Sequence, residues 1–129
     1  MYIPTEAQEQ SCLLEWARHY RIGALLVADF LISIPNGSVL AGDPGQRARQ
    51  MNKLKATGLR VGAYDLFLAY PVPPFSGLWI EMKTQKGGQV SDAQERFGAL
   101  MDIAGYKTTV CLGWEAAKTA IVGYLKGNA

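Results

Sequence analysis

Residues 65–83, DLFLAYPVPPFSGLWIEMK, restrict the fold of this chain more than any other stretch. Two apolar runs flank a turn crowded with Pro71, Pro73 and Pro74. Proline breaks a ladder, so the runs read as two strands of a hairpin, at about 65–70 and 78–83. Leu66, Phe67, Leu68, Trp79, Ile80 and Met82 make both faces of these strands apolar. Such strands belong in the middle of a sheet that is covered on both sides. Three charges interrupt the pattern. Side chains alternate along a strand, so Glu81 and Lys83 share one face and Met82 points to the other. Pairing about the loop sets Asp65 opposite Glu81 or Lys83, and either register brings all three to the same face.

Ionised groups removed from water cost several kcal/mol each unless they are paired or hold a metal. Two neighbouring carboxylates repel, and one lysine does not balance both. A divalent cation resolves the conflict, since Mg²⁺ takes one or two carboxylates together with waters and phosphate oxygens. The chemistry implied is hydrolysis at phosphorus: a metal lowers the pKa of bound water, while Lys83 positions or deprotonates that water or steadies developing charge. The plain alternative for Glu-x-Lys is a solvated ion pair worth about 0–1 kcal/mol.

The rest of the chain supplies a frame. Thr5-Glu6-Ala7-Gln8 has capping-box spacing, and the spacing predicts a helix that fades near Gly23. Its apolar stripe of Leu13, Trp16, Ala17 and Tyr20 continues backwards through Gln10 to Glu6, so Glu6 is the candidate to add a carboxylate, with Glu9 as its competitor. Glu6 also suits the positive end of a helix dipole. A strand from Asp29 or Phe30 to Ile34 ends at Pro35-Asn36-Gly37. Asp43-Pro44 opens a second helix that stops at Gly58. Ser91-Asp92-Ala93-Gln94 is another capping box, opening a helix to about Ala104 with Phe97, Leu100 and Met101 inward. Gln94 either caps that helix only or also reaches the charged group. Tyr106–Leu112 reads as a strand and Trp114–Tyr124 as a last helix. The fold class is α/β, in the order α-β-α-β-β-α-β-α, with a mixed sheet flanked by helices and the last strand parallel to the one before it.

Composition places bounds on partners. Half the chain is apolar, which suffices for one core, and 129 residues make one domain, 1–129. The net charge of +2 is uninformative, but its distribution is not. Between positions 43 and 60, Arg47, Arg49, Lys53, Lys55 and Arg60 face a single acid, Asp43. That cluster, with Lys86 just past the hairpin, fits nucleic-acid backbone, the alternative being a solvated helix face. Cys12 and Cys111 lie far apart and His19 is the only histidine, which argues against zinc. Both cysteines are expected as reduced core residues of a cytoplasmic protein. The run from Ile22 to Pro35 is broken by Asp29 and is shorter than a membrane span.

Asp65 followed by Glu81-Met82-Lys83 resembles the PD-(D/E)xK nuclease signature. With TEAQEQSCLLEWA, IPNG, LKATGLRVGAYDLFLAY, GLWIEMKTQKGGQVSDAQ and AGYKTTVCLGWEAA, the chain from Thr5 to Tyr124 resembles a small phage-type VRR-NUC protein, the virus-type replication-repair nuclease domain. The resemblance implies a restriction-endonuclease-like fold and Mg²⁺- or Mn²⁺-dependent cleavage of DNA in a bacterial or phage-infected cell. It assigns the helix acid to Glu6, the strand acids to Asp65 and Glu81, the lysine to Lys83, the helix glutamine to Gln94 and a backbone ligand to Met82. Stand-alone members are associated with homodimers that cut branched DNA such as Holliday junctions. One departure is Tyr64, where the family usually places proline before the strand acid. A DNA-binding domain without catalysis is the alternative on the same fold, and hydrolysis of a small phosphate ester is a third reading.

Overall fold

A computed structural model describes residues 2–35 and 40–127, so the expected Asn36-Gly37 turn lies outside the described residues. The elements are α1 (Glu6–Ala17), β1 (Arg21–Ile22), β2 (Leu25–Leu26), a 3-10 turn (Val27–Asp29), β3 (Leu31–Ser33), α2 (Pro44–Ala56), β4 (Leu66–Leu68), β5 (Leu78–Lys83), α3 (Asp92–Ile103), β6 (Lys107–Leu112) and α4 (Trp114–Leu125). Three helices start on reciprocal caps, Thr5 with Gln8, Asp43 with Gln46 and Ser91 with Gln94. Each cap satisfies backbone donors that a helix start otherwise leaves open.

Two expectations about the first third are corrected. α1 stops at Ala17, capped by Arg18, well before Gly23. The chain then reverses as the antiparallel pair β1–β2, which Gly23 permits at φ +62°. The reversal brings Ile22 and Val27 against the main core, where a continuing helix would carry them past it. The strand expected at 29–34 is shorter, because the 3-10 turn holds Asp29, whose carboxylate accepts from the Leu26 N–H at 2.8 Å.

The main sheet runs β3-β4-β5-β6. β4 is antiparallel to β3 and β5, and β6 is parallel to β5 after the α3 crossover. The hairpin strands are therefore central, as their two-sided apolar pattern required. One face of the sheet carries Leu66, Leu68, Leu78, Ile80, Met82 and Cys111 against Leu13 and Ala17 of α1 and Ala117, Ile121 and Tyr124 of α4. The opposite face is covered by α3 through a smaller cluster of Ala63, Tyr64 and Phe97, with Ile34, Trp79 and Met101 at its margin. α2 buries none of its residues, in keeping with its sparse apolar positions. Both cysteines are free; Cys111 is buried, whereas Cys12 is exposed on α1 and not a core residue. Among the described residues, no helix is long and apolar enough to cross a membrane.

Candidate active site

The alternation of β5 sends Trp79, Glu81 and Lys83 to the α3 side. Leu66 pairs with Ile80, so the register carries Asp65, just before β4, to the position opposite Glu81. Two backbone links fix it there. The Asp65 carbonyl accepts from Ile34 N–H at 2.7 Å, and its Oδ2 accepts from Met82 N–H at 2.9 Å. Glu81 is buried, at 2% exposure. Its Oε2 accepts from Gln94 Nε2 at 2.7 Å and lies 3.3 Å from Lys83 Nζ. Lys83 Nζ also donates to Gln94 Oε1 at 3.3 Å, closing a triangle of acid, base and amide. Gln94 Oε1 accepts in addition from Ser91 N–H at 3.0 Å. The glutamine therefore caps α3 and reaches the charged group at once.

The electrostatics are those of a crowded, dry site. Burial, then the charge of Asp65, pushes the Glu81 carboxyl up to about 7, and the neighbouring Lys83 opposes this only in part. Burial also raises Asp65, against the pull of the Met82 N–H and Lys83. Glu81 Oε1 has no hydrogen-bond partner although it is buried. An acceptor left bare beside a second carboxylate suits a cation. The residues therefore fit a hard divalent ion: Asp65 and Glu81 are oxygen donors, and waters and phosphate oxygens would complete the shell. Met82, between Glu81 and Lys83, is wholly buried. Among the described residues, no group of three or more His, Cys, Asp or Glu side chains gathers around a common point.

Glu6 is not brought to this site. It is exposed at the start of α1, and the inward acid of the helix is Glu9, at 0% exposure. The inward side is a four-residue ladder of Glu9, Leu13 and Ala17, so stepping back four from Leu13 finds Glu9; the path through Gln10 drifts off the core. Gln10 instead bonds Ser33 Oγ at 3.1 Å. Glu9 Oε1 accepts from Trp114 N–H at 3.4 Å, at the start of α4, and its Oε2 is buried without a partner. Gly113 joins this acid to the site, since its N–H donates to the Lys83 carbonyl at 2.9 Å. A Cβ at Gly113 would stand 2.9 Å from Glu9 Oε2, so only glycine fits there.

The basic residues fall into separate places. Arg47, Arg49, Lys53 and Lys55 stand exposed on α2. Arg60, in the loop beyond it, lays its guanidinium over the Phe97 ring, 5.8 Å from the centroid. Lys86 is exposed in the turn after β5. Trp79 packs edge-on against Phe97 and beside Phe67, as a core residue would.

A mixed sheet flanked by helices, whose central hairpin presents two carboxylates and a lysine under a crossover helix, is a nuclease-like α/β fold. A solved structure described as a VRR_NUC domain protein has this fold, with a TM-score of 0.82 over 97% of this chain and 91% of that one, at 21% identity. No protein-family model matches the chain, and no curated protein matches it.

Proposed function

We propose that this protein is a Mg²⁺- or Mn²⁺-dependent deoxyribonuclease that hydrolyses phosphodiester bonds. The observation that carries the reading is the buried Glu81, bare at Oε1 and held at Oε2 by Gln94 and Lys83 beside Asp65. Asp65 and Glu81 are the proposed ligands, with the Met82 carbonyl as a backbone ligand. Glu6, exposed on α1, has no place in this set. A divalent ion bound there supplies water activation and charge neutralisation. The chain's own residues do the rest. Gln94 holds Glu81 by Oε2 and leaves the buried Oε1 as the acceptor for the ion. Lys83, 12% exposed along its side chain and 3.3 Å from Glu81 Oε2, is placed to hydrogen-bond a phosphate oxygen or the attacking water. The Met82 N–H holds Asp65 in place.

Arg47, Arg49, Lys53 and Lys55 on α2, with Arg60 and Lys86, form the proposed DNA contacts, because exposed cations on an otherwise unburied helix suit a phosphate backbone. The proposed substrate is branched DNA, acted on by a homodimer, since two copies present two sites related by symmetry.

Asp65→Ala, Glu81→Ala and Lys83→Ala should each lower metal-dependent cleavage by about 10²–10³-fold or more while keeping the folded circular dichroism spectrum. A panel of single-stranded, duplex, flapped and four-way DNA with Mg²⁺, Mn²⁺ or EDTA provides the assay. Wild-type rates in all three variants would refute the site. Salt-sensitive binding without products under any metal would favour a DNA-binding domain.

A further inference from the structure

The loop before β4 meets α3 at two points that only glycine allows. Gly62 has φ +89°, and a Cβ there would lie 2.5 Å from the carbonyl carbon and oxygen of Ala93. Gly98 lies inside α3, where glycine weakens a helix, and its helical conformation does not require it. Its reason is space. A Cβ at 98 would overlap the Tyr64 hydroxyl and stand 3.2 Å from the ring Cζ. The Tyr64 ring is buried, with its centroid 5.4 Å from that of Phe97, which Arg60 covers from the same loop.

These contacts straddle the site. Tyr64 directly precedes Asp65 in the chain. Gly98 is four residues beyond Gln94, hence on the same face of α3 and one turn away. Ala93 directly precedes Gln94. The two halves of the charged group, Asp65 on the hairpin and Gln94 on the helix, are thus gauged against each other by the Gly62–Ala93 and Tyr64–Gly98 contacts.

We infer that Tyr64 is a positioning residue, whose ring seated on Gly98 sets the distance between α3 and the sheet, and so holds Gln94 on Glu81 opposite Asp65. The geometric part stands without the nuclease reading; its effect on cleavage rests on that reading.

The test is a double-mutant cycle with two readouts: the Gln94 side-chain amide resonances of ¹⁵N-labelled protein, and Mg²⁺-dependent cleavage of four-way DNA. Gly98→Ala drives a methyl into the Tyr64 hydroxyl. The Gln94 amide signals should move towards the solvent-exposed position, and cleavage should fall by about 10- to 100-fold, as for a displacement near 1 Å. Tyr64→Phe in the Gly98→Ala background removes the overlapping oxygen and leaves only the 3.2 Å contact with Cζ, which a small ring shift relieves. Both readouts should then return most of the way. Because the two residues touch, rescue identifies the Tyr64 hydroxyl as the partner of the added methyl, whereas a general loss of stability would lower cleavage with the Gln94 signals of the folded protein unmoved. Wild-type Gln94 signals in Gly98→Ala, or no recovery in the double variant, would overturn the inference. Should Gly98→Ala fail to fold, Tyr64→Leu empties the seat, and an unmoved Gln94 signal there would overturn it equally. If wild-type protein cuts no DNA while the amide shift and rescue occur, the positioning stands and the nuclease reading falls.

Discussion

The two faces of the central hairpin come from the same residues taken alternately, yet they are built for different ends. On one face Leu66, Leu68, Leu78, Ile80 and Met82 are almost completely buried under α1 and α4, with no polar side chain of β4 or β5 among them. On the other, one position along, Asp65, Glu81 and Lys83 sit under the N-terminal turn of α3 beside Trp79. The first face lowers the free energy of the fold. The second raises it, because Glu81 is buried next to another acid. A period of two lets a single strand carry both without either intruding on the other. The comparison teaches that the site is paid for by the dry side of its own strands.

Exchanging one residue on each face gives the largest contrast. Glu81→Gln should cut metal-dependent turnover by about 10²–10³-fold, while the midpoint of urea unfolding above pH 7 holds or rises. Ile80→Ala should do the reverse, costing roughly 2–5 kcal/mol in the same unfolding experiment, with turnover following only the folded fraction. If both variants lose stability alike, the division between the faces is wrong.

The next effect is a pH dependence. The folded-state pKa of Glu81 lies above the ordinary carboxylate value of 4.5, at about 7. The folded protein therefore holds more protons than the unfolded chain between these values, and stability falls as pH rises through that window. Without metal the fall should be on the order of 3 kcal/mol, less whatever Asp65 adds or removes. It should flatten in Glu81→Gln, and saturating Mg²⁺ should flatten it in the wild type by binding the ionised acids. Denaturation midpoints between pH 4 and 8 provide the measurement.

The smallest effect probes a third region. α2 buries nothing, so loss of its cap through Asp43→Ala should weaken the helix by about 1 kcal/mol. Global unfolding should hardly change. Faster amide exchange confined to 44–56 would confirm that this helix is held by local forces alone.

The sequence made the hairpin, its face and its charged trio readable because strand alternation leaves no freedom once both runs are apolar. The two capping boxes likewise announced α1 and α3, and Asp43-Pro44 announced α2. The first-helix acid was misplaced for a physical reason. α1 has too short an apolar stripe to fix its phase, and Glu9 is a polar residue at a core position, where a pattern of apolar residues gives no warning. The β1–β2 reversal was missed because Tyr20-Arg21-Ile22 continues the helical spacing, and only the fit of Val27 into the core decides against it. The contact between Tyr64 and Gly98 joins positions 34 apart, and a glycine inside a helix does not name its partner.

The oxygen of Gln94 that begins α3 also meets the lysine of the site. One atom thus belongs to two assemblies, the opening turn of the crossover and the charged cage. A nascent copy whose crossover has not yet wound leaves the glutamine adrift and the glutamate unheld. The charged cage is therefore complete only once the crossover helix has wound and docked.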